Sequence, residues 1–580
     1  MATTPSTNSA ALDSLPARGY PLMTFRGILS AVAGFALLVF CWRFAEIHPG
    51  VLLRPATAAA LWSFVRRLFP PDLAPEFLRT VMRAAAQTMA TALAGTLLSL
   101  TIALPLGVLA TGTLWNRGVL VAAGDRFGVG WMASRLARTI LGFLRAVPDL
   151  LWALLFVAAV GLGSLAGTLA LAVAYSGVLG RVYADVFEHV DTQPLEALQS
   201  TGATRMQIFL RGVWPQALPH LMAYTLYSFE CCVRAAAVLG FVGAGGIGYE
   251  ISISMRLFEY GQVLTLLLVF LVLLTLTDAA SRYLRDRFVS RATSARETRA
   301  EGSSSRWLLT SKSRRLVGWT AVLSFTVASF ALAGFAPETL LQAGIAGRLS
   351  GFVRRMFPLD LSWAFVSSLG TALLQTIAIS LIGTLIGMAF AVVLAVPATS
   401  TLTFVRSDSP GKHGVTDRAL RWLRFWSARL VLNILRSIPE LVWVLICILA
   451  VGIGPFAGTI ALGLHTAGVL GKLYAETMEE VPHRPVEALR SLGASPMQVL
   501  LWAIWPQARP LLSSYTVLRW ETNLRASTIL GLVGGGGLGQ VIYNNVQLGF
   551  YPRLTTLILI IYALVLASDW IGERLRLHVA

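Results

Sequence analysis

"VEALRSLGASPMQVLLWAIWPQARP" (Val486–Pro510) is a polar, charged stretch with a glycine inside it, set in a chain that is 56% hydrophobic. Nearly the same stretch, "LEALQSTGATRMQIFLRGVWPQALP", stands at Leu195–Pro219, an offset of 291. Glu487, Ala488 and Leu489 favour helix, and Gly493 permits a backbone bend that other residues reach only at a cost. Met497–Trp505 resumes a helical pattern, which Pro506 and Pro510 are expected to interrupt. The expectation is a short helix, a turn and a second short helix, lying outside a membrane and written once in each half of the chain.

The repeat extends well beyond these segments. "LRAVPDLLW" at Leu144 matches "LRSIPELVW" at Leu435, and the same offset of 291 holds without a gap through "VLGFVGAGGIG" and "ILGLVGGGGLG". Upstream, "FVRRLFPPDL" at Phe64 matches "FVRRMFPLDL" at Phe352 at an offset of 288, so three residues are gained after the second apolar run. Self-similarity at a fixed offset marks a tandem duplication.

Only 13% of the 580 residues are charged and the mean hydropathy is +0.68, against about a quarter charged in soluble domains. Apolar runs of roughly 20 residues, long enough to cross a bilayer as helices, recur throughout. In the first half they fall at about 22–42, 84–111, 138–160, 165–185, 218–240 and 259–281. In the second they fall at about 315–336, 367–397, 431–453, 457–478, 509–532 and 553–573. The expected fold is all-α and polytopic, about twelve transmembrane helices in two six-helix repeats. Six is even, so the repeats run parallel. Domain boundaries follow at 1–290, a basic linker at 291–314, and 315–580.

The net charge of +18 gathers in connectors, which suits the positive-inside rule better than a nucleic-acid surface. Arg282–Arg315 holds ten basic residues against three acids. That connector, those after each second span, and both glycine-centred segments all fall on the inner side. Arg66, Arg67, Arg354 and Arg355 fall outside; they either meet an external protein or cover span ends. The four cysteines match neither a disulfide framework nor a zinc spacing. Asp13 and Arg18 in the polar stretch before the first apolar run do not suit a signal peptide, so that run is expected to be a retained helix.

The repeated segment resembles the EAA loop of ABC-importer permeases, carried here by Glu196, Ala197, Gly202 and Pro215 and again by Glu487, Ala488, Gly493 and Pro506. Leu198 and Leu489 stand where that pattern has a third alanine. With "RSIPELVW", "GPFAGTIALGLHTAGVLGKLYAE" and "LGLVGGGGLG", most of each half is similar to the permease subunit of phosphonate importers. The resemblance implies a type I importer fold with two permease domains fused in one chain, in a bacterial inner membrane. It implies that the loops dock on two cytoplasmic ATPase domains, which carry the ATP and magnesium, and that a binding protein delivers substrate from outside. The implied cargo is a phosphonate, phosphite or phosphate ester, with a methionine or other amino-acid permease as the alternative within the class.

Other residues are weighed beside this. "GAGGIG" satisfies the G-x-G-x-x-G spacing but follows an apolar span rather than a strand. Gly243, Gly245, Gly534 and Gly536 therefore read as a packed turn or a gate. Glu230, Arg234, Glu521 and Arg525 lie inside the fifth span of each half, where a charge costs roughly 2.5–3.5 kcal/mol on insertion scales. They read either as i,i+4 pairs or as charges lining the pathway of an oxyanion. Arg145 and Arg436 read as snorkelling anchors, and His465, opposite Ala174, as a packed histidine. The chain holds no phosphate-binding P-loop, no metal spacing and no catalytic triad, so a transport subunit rather than an enzyme is expected, with no cofactor of its own. An ion-coupled secondary transporter is the alternative of a different class; the paired docking loops argue against it.

Overall fold

The computed structural model describes residues 25–112, 129–300, 326–332, 334, 344–404 and 415–579. The described residues form helices and connecting turns, with no strand among them. The first repeat holds α1 (Phe25–Phe44), α2 (Pro55–Leu68), α3 (Pro75–Ala110), α4 (Val129–Ala146), α5 (Asp149–Val160), α6 (Ser164–Glu188), α7 (Gln193–Ser200), α8 (Trp214–Leu239), α9 (Ile247–Arg256) and α10 (Tyr260–Ala300). The second holds α11 (Gly344–Met356), α12 (Trp363–Ala398), α13 (Val415–Ser437), α14 (Glu440–Val451), α15 (Pro455–Glu479), α16 (His483–Ser491), α17 (Trp505–Leu530), α18 (Leu538–Gln547) and α19 (Tyr551–Val579).

Among the described residues seven helices are long and apolar enough to cross a membrane, or up to ten if each bent pair is one span. The expected twelve differ for identifiable reasons. The apolar run of α1 is only Val32–Phe44, and of 315–336 only 326–332 lies within the described residues. The runs at 138–160 and 431–453 are not straight helices: they bend by 86° and 96° at Val147-Pro148 and Ile438-Pro439. A residue before proline is driven out of the helical region, and Asp149 and Glu440 then restart the helix in its first turn, where the dipole favours an acid. α5 and α14 have 12 residues each, about 18 Å of helix, short of the ~30 Å hydrocarbon core.

A second difference concerns the prolines after the polar loops. They do not interrupt the helix. The five-residue π-helical turns Phe209–Val213 and Leu500–Ile504 widen the backbone just before Pro215 and Pro506. A wider turn makes room for a ring that would clash with the carbonyl four residues back, so α8 and α17 run on through Pro219 and Pro510.

In each repeat the central pair of helices is α3 with α6, or α12 with α15. Small residues let them approach: a Cβ on Gly107 would lie 3.0 Å from the Gly180 carbonyl, and one on Gly387 2.6 Å from the Thr466 side chain. Close backbone contact takes the place of a hydrophobic driving force that lipid does not supply. The repeats also exchange parts. α1 packs on α12 of the second repeat, where Cys41, Ala45 and Ile47 are buried with Ala378, Ile382 and Phe456. α2 packs on α14 and α11 on α5, and one buried cluster runs through both repeats.

Candidate functional site

The two ends of the bundle carry different chemistry. At one end lie the polar loops. Thr204 accepts from Gln207 N at 3.4 Å while Gln207 Oε1 accepts from Thr204 N at 2.9 Å. Ser495 and Gln498 repeat this at 3.4 and 2.7 Å. Each is a reciprocal capping box that fixes where the second short helix starts. Gly202 and Gly493 turn the chain at φ +76° and +79°, with open space where a Cβ would stand. Leu195 and Val486 anchor the first short helix in the core, while Glu196, Ala197, Glu487 and Ala488 on the same helices are exposed. Apolar side chains are exposed beside them: Met206 and Leu210 in the first loop, Leu492, Met497 and Trp502 in the second.

The loops sit on a braced platform. Arg138 pairs with Glu188 and donates to the Ala110 carbonyl at 2.7 Å. Arg429 pairs with Glu479 at 2.7 Å and donates to the Ala398 carbonyl at 3.1 Å. A cavity of about 530 Å³ lies beside the first loop, lined by Asp185, His189, Gln216 and His220 among others. Glu480 and Leu511 replace its two histidines in the second repeat.

At the opposite end the glycine runs are pinned turns. Gly243, Gly245, Gly534 and Gly536 all have positive φ, between +77° and +97°. Gly163 N donates to Gly243 O and Gly454 N to Gly534 O, each at 2.9 Å. Ile247 N donates to Thr88 Oγ1 and Leu538 N to Thr376 Oγ1, again at 2.9 Å. Three helices thus meet on each turn.

The charges within α8 and α17 do not behave alike. Glu230 and Arg234 form the expected i,i+4 pair at 2.9 Å. Glu521 and Arg525 do not pair with each other: Glu521 binds Arg576, and Arg525 reaches Asp569 at 3.5 Å, both on α19. Arg145, expected as a snorkelling anchor, instead donates to Asp569 at 2.7 Å across the repeat boundary. Its aliphatic stem is long enough to reach a carboxylate there, and an ion pair offsets the charge better than partial hydration does. Arg436 donates to Asn433 Oδ1 at 3.2 Å. Arg66, Arg67, Arg354 and Arg355 lie exposed on α2 and α11.

Sequence reading passed over a further group. His465 is packed as expected, its Nδ1 3.2 Å from the Ile438 carbonyl, and its Nε2 stands 3.8 Å from Glu440 Oε2. Arg519 and Arg234 also act electrostatically on Glu440, and Glu440 acts on Asp149. The signal in sequence was the charge of Arg519 inside an apolar run, where the first repeat has Ser228.

The comparisons with known proteins agree with this architecture. The family described as "Binding-protein-dependent transport system inner membrane component" matches twice, at residues 103–290 and 417–579. The chain is 33% identical over 522 residues to the phosphate-import permease protein PhnE of Mycolicibacterium smegmatis, covering 88% of each chain. It is 40% identical over 206 residues to the phosphite transport system permease protein PtxC of Stutzerimonas stutzeri, covering 36% of this chain and 69% of that one. It is 32% identical over 158 residues to a probable D-methionine transport system permease protein of Vibrio cholerae, covering 25% of this chain and 68% of that one. These relatives are transport permeases and not enzymes. The chain is a multi-pass membrane protein that belongs to the family of binding-protein-dependent transport system inner membrane components, with the family's domain present twice.

Proposed function

We propose that this chain supplies both permease domains of an ATP-driven importer for phosphorus oxyanions such as phosphonates, phosphite and phosphate esters. The similarity to phosphate and phosphite permeases supports that cargo, because the first spans 88% of both chains and the second is 40% identical, whereas the methionine permeases are 28–32% identical over 25–36% of this one. A methionine or other amino-acid cargo is accordingly the weaker reading. An ion-coupled secondary transporter is weaker still, since it gives no role to two exposed loops of one design.

Those loops are the observation that carries the reading. Each presents an acidic residue, a left-handed glycine and exposed apolar side chains at one end of the bundle. Exposed apolar groups of this kind mark an interaction surface. In our reading Glu196, Ala197, Gly202 and Pro215, with Glu487, Ala488, Gly493 and Pro506, dock two cytoplasmic ATPase domains. Those domains bind ATP and magnesium and perform the hydrolysis. The braced platform of Arg138–Glu188 and Arg429–Glu479 passes their closure to the spans. The loop end then faces the cytoplasm of a bacterial inner membrane and the glycine end faces outward. There Arg66, Arg67, Arg354 and Arg355 meet the binding protein. Residues 1–290 and 315–580 act as the two permease domains, joined by the basic stretch 291–314. Glu230, Arg234, Glu521 and Arg525 flank the route between them, and the turns at Gly243, Gly245, Gly534 and Gly536 close its outer end.

Growth of a bacterial strain lacking its own phosphonate importer tests this. The chain is expressed with its ATPase and binding protein, and single phosphorus compounds are supplied. Growth on a phosphonate or phosphite that Gly202→Asp and Gly493→Asp both abolish is the expected result. Growth on none of them, with the protein present in the membrane, removes the assigned cargo.

A further inference from the structure

Several arginines along the helices have a named partner: Arg234 has Glu230, Arg145 and Arg525 share Asp569, and Arg429 has Glu479. Arg519 differs. It lies in α17, its Nε, like that of Arg525, is inaccessible to solvent with no hydrogen-bond partner, and unlike Arg525 it forms no ion pair among the described residues. An ionisable group within a membrane span is expensive and almost always paired, or else faces a route for ions or substrate.

Its depth is readable from helix lengths. α17 ends at Leu530, so Arg519 lies about 16 Å from the glycine end at 1.5 Å per residue. His465 lies about 15 Å down α15 from Pro455, and Glu440 heads α14 about 18 Å from the same end. In a hydrocarbon layer ~30 Å thick these depths place all three residues near the midplane, where His465 Nε2 stands 3.8 Å from Glu440 Oε2 at the break in the second bent pair and the charge of Glu440 acts on Arg519. Asp149 is the counterpart of Glu440 in the first repeat, at the matching break of the first bent pair.

The group is one-sided. The first repeat keeps the acid, as Asp149, but has Ser228 in place of Arg519 and Ala174 in place of His465. We infer that Arg519 is a midplane binding residue for the transported oxyanion, supplied by the second repeat alone. This rests on the oxyanion-import reading above and names where along the route the anion pauses. The planar guanidinium offers paired donors matched to a tetrahedral phosphoryl group, and His465 borders the same space. Asp149 and Glu440 oppose the incoming charge and keep the hold weak. A station on a conduction path must bind well enough to admit the anion and loosely enough to release it.

The test uses the whole transporter, this chain with its ATPase and binding protein, in proteoliposomes. Uptake of methylphosphonate and of phosphite is measured in parallel with ATP hydrolysis. Arg519→Gln is expected to lower uptake about ten-fold, the lower range for a lost hydrogen bond to a charged group, while hydrolysis stimulated by the loaded binding protein persists. ATP consumed per anion therefore rises about ten-fold. Arg519→Lys keeps the charge and loses the fork, so an intermediate ratio of about two- to four-fold is expected. Uptake and hydrolysis falling in equal proportion, or neither changing, overturns the inference. If the Gln variant does not assemble, the Lys variant decides, and an unchanged ratio there overturns it. Failure of the underlying reading is separate: the wild-type complex then hydrolyses ATP yet moves neither anion, which removes both.

Discussion

Arg145 and Asp569 lie 424 positions apart in sequence and meet at 2.7 Å across the boundary between the two repeats. Arg525 stands 3.5 Å from the other oxygen of the same carboxylate. The mirror-related residues, Arg436 and Asp278, are not joined in this way. Arg436 donates instead to Asn433, which replaces Gly142 of the first repeat. The interface is therefore asymmetric between the repeats.

Asp569→Asn removes the counter-charge of two arginines at once. A loss of about 1–2 kcal/mol in stability is expected, at the modest end because Arg145 is 40% exposed. Asp278→Asn is expected to do less. Thermal unfolding of the purified protein in detergent ranks the two, and equal effects count against the asymmetric interface.

The loop glycines allow backbone and contact effects to be separated. Nothing lies within 4 Å of a Cβ at Gly493, so a side chain there is strained only by the φ of +79°. Asn tolerates that region and a β-branched residue does not, the left-handed conformation costing roughly 1–2 kcal/mol. Gly493→Asn is therefore expected to leave the protein at normal levels in the membrane. If the loop docks on an ATPase, the same variant still loses most uptake, because the new side chain enters the contact. Normal uptake by Gly493→Asn, with Gly493→Val impaired, assigns the glycine to the turn alone.

At the glycine end the constraint is steric. A Cβ on Gly248 would stand 1.7 Å from the Ala237 carbonyl oxygen, and one on Gly539 2.1 Å from that of Thr528. Backbone cannot give way as a flexible side chain can. Gly248→Ala and Gly539→Ala are each expected to destabilise by about 3 kcal/mol or more and to accumulate poorly in the membrane. Gly347→Ala, with open space around it, serves as the control at normal levels.

Asp360 lies just before α12, outside the spans, and hydrogen bonds from the Ser362 hydroxyl and then Arg553 hold its carboxyl below the usual carboxylate range. Arg553 Nε reaches it at 3.0 Å. Because the folded value is the lower one, the contribution to stability is complete above the unfolded value of about 3.9 and fades as pH falls through the folded value. Protection of the amides at residues 358–364, with the intrinsic pH dependence of exchange divided out, is expected to fall only below about pH 4, and in Arg553→Gln to fall from higher pH. Protection independent of pH in that range contradicts the assignment.

Much of this architecture was legible because it was written twice. The offset of 291 exposed the duplication, and two glycine-centred loops at matching positions pointed to one local structure built twice. The bent pairs were not read, although Pro148 and Pro439 stood in plain view, because hydropathy stays high on both sides of each break and a window averages across it. The π-helical turns were hidden for a related reason: proline announces a lost hydrogen bond but not how the backbone absorbs it. His465 was read as packed, but its grouping with Glu440 and Arg519 escaped because only the acid recurs in the first repeat. A reading guided by repeats sees what the halves share and misses what one of them adds.

The central claim is that ATP hydrolysis by docked partners drives a phosphorus oxyanion through this chain. Initial uptake of methylphosphonate by proteoliposomes holding the chain, its ATPase and its binding protein tests that most directly, with ATP inside or outside the vesicle and with an ion gradient imposed or collapsed. The account predicts uptake that requires ATP on the loop side, is indifferent to the gradient and is abolished in Gly202→Asp with Gly493→Asp. Uptake that continues without ATP and vanishes with the gradient contradicts it.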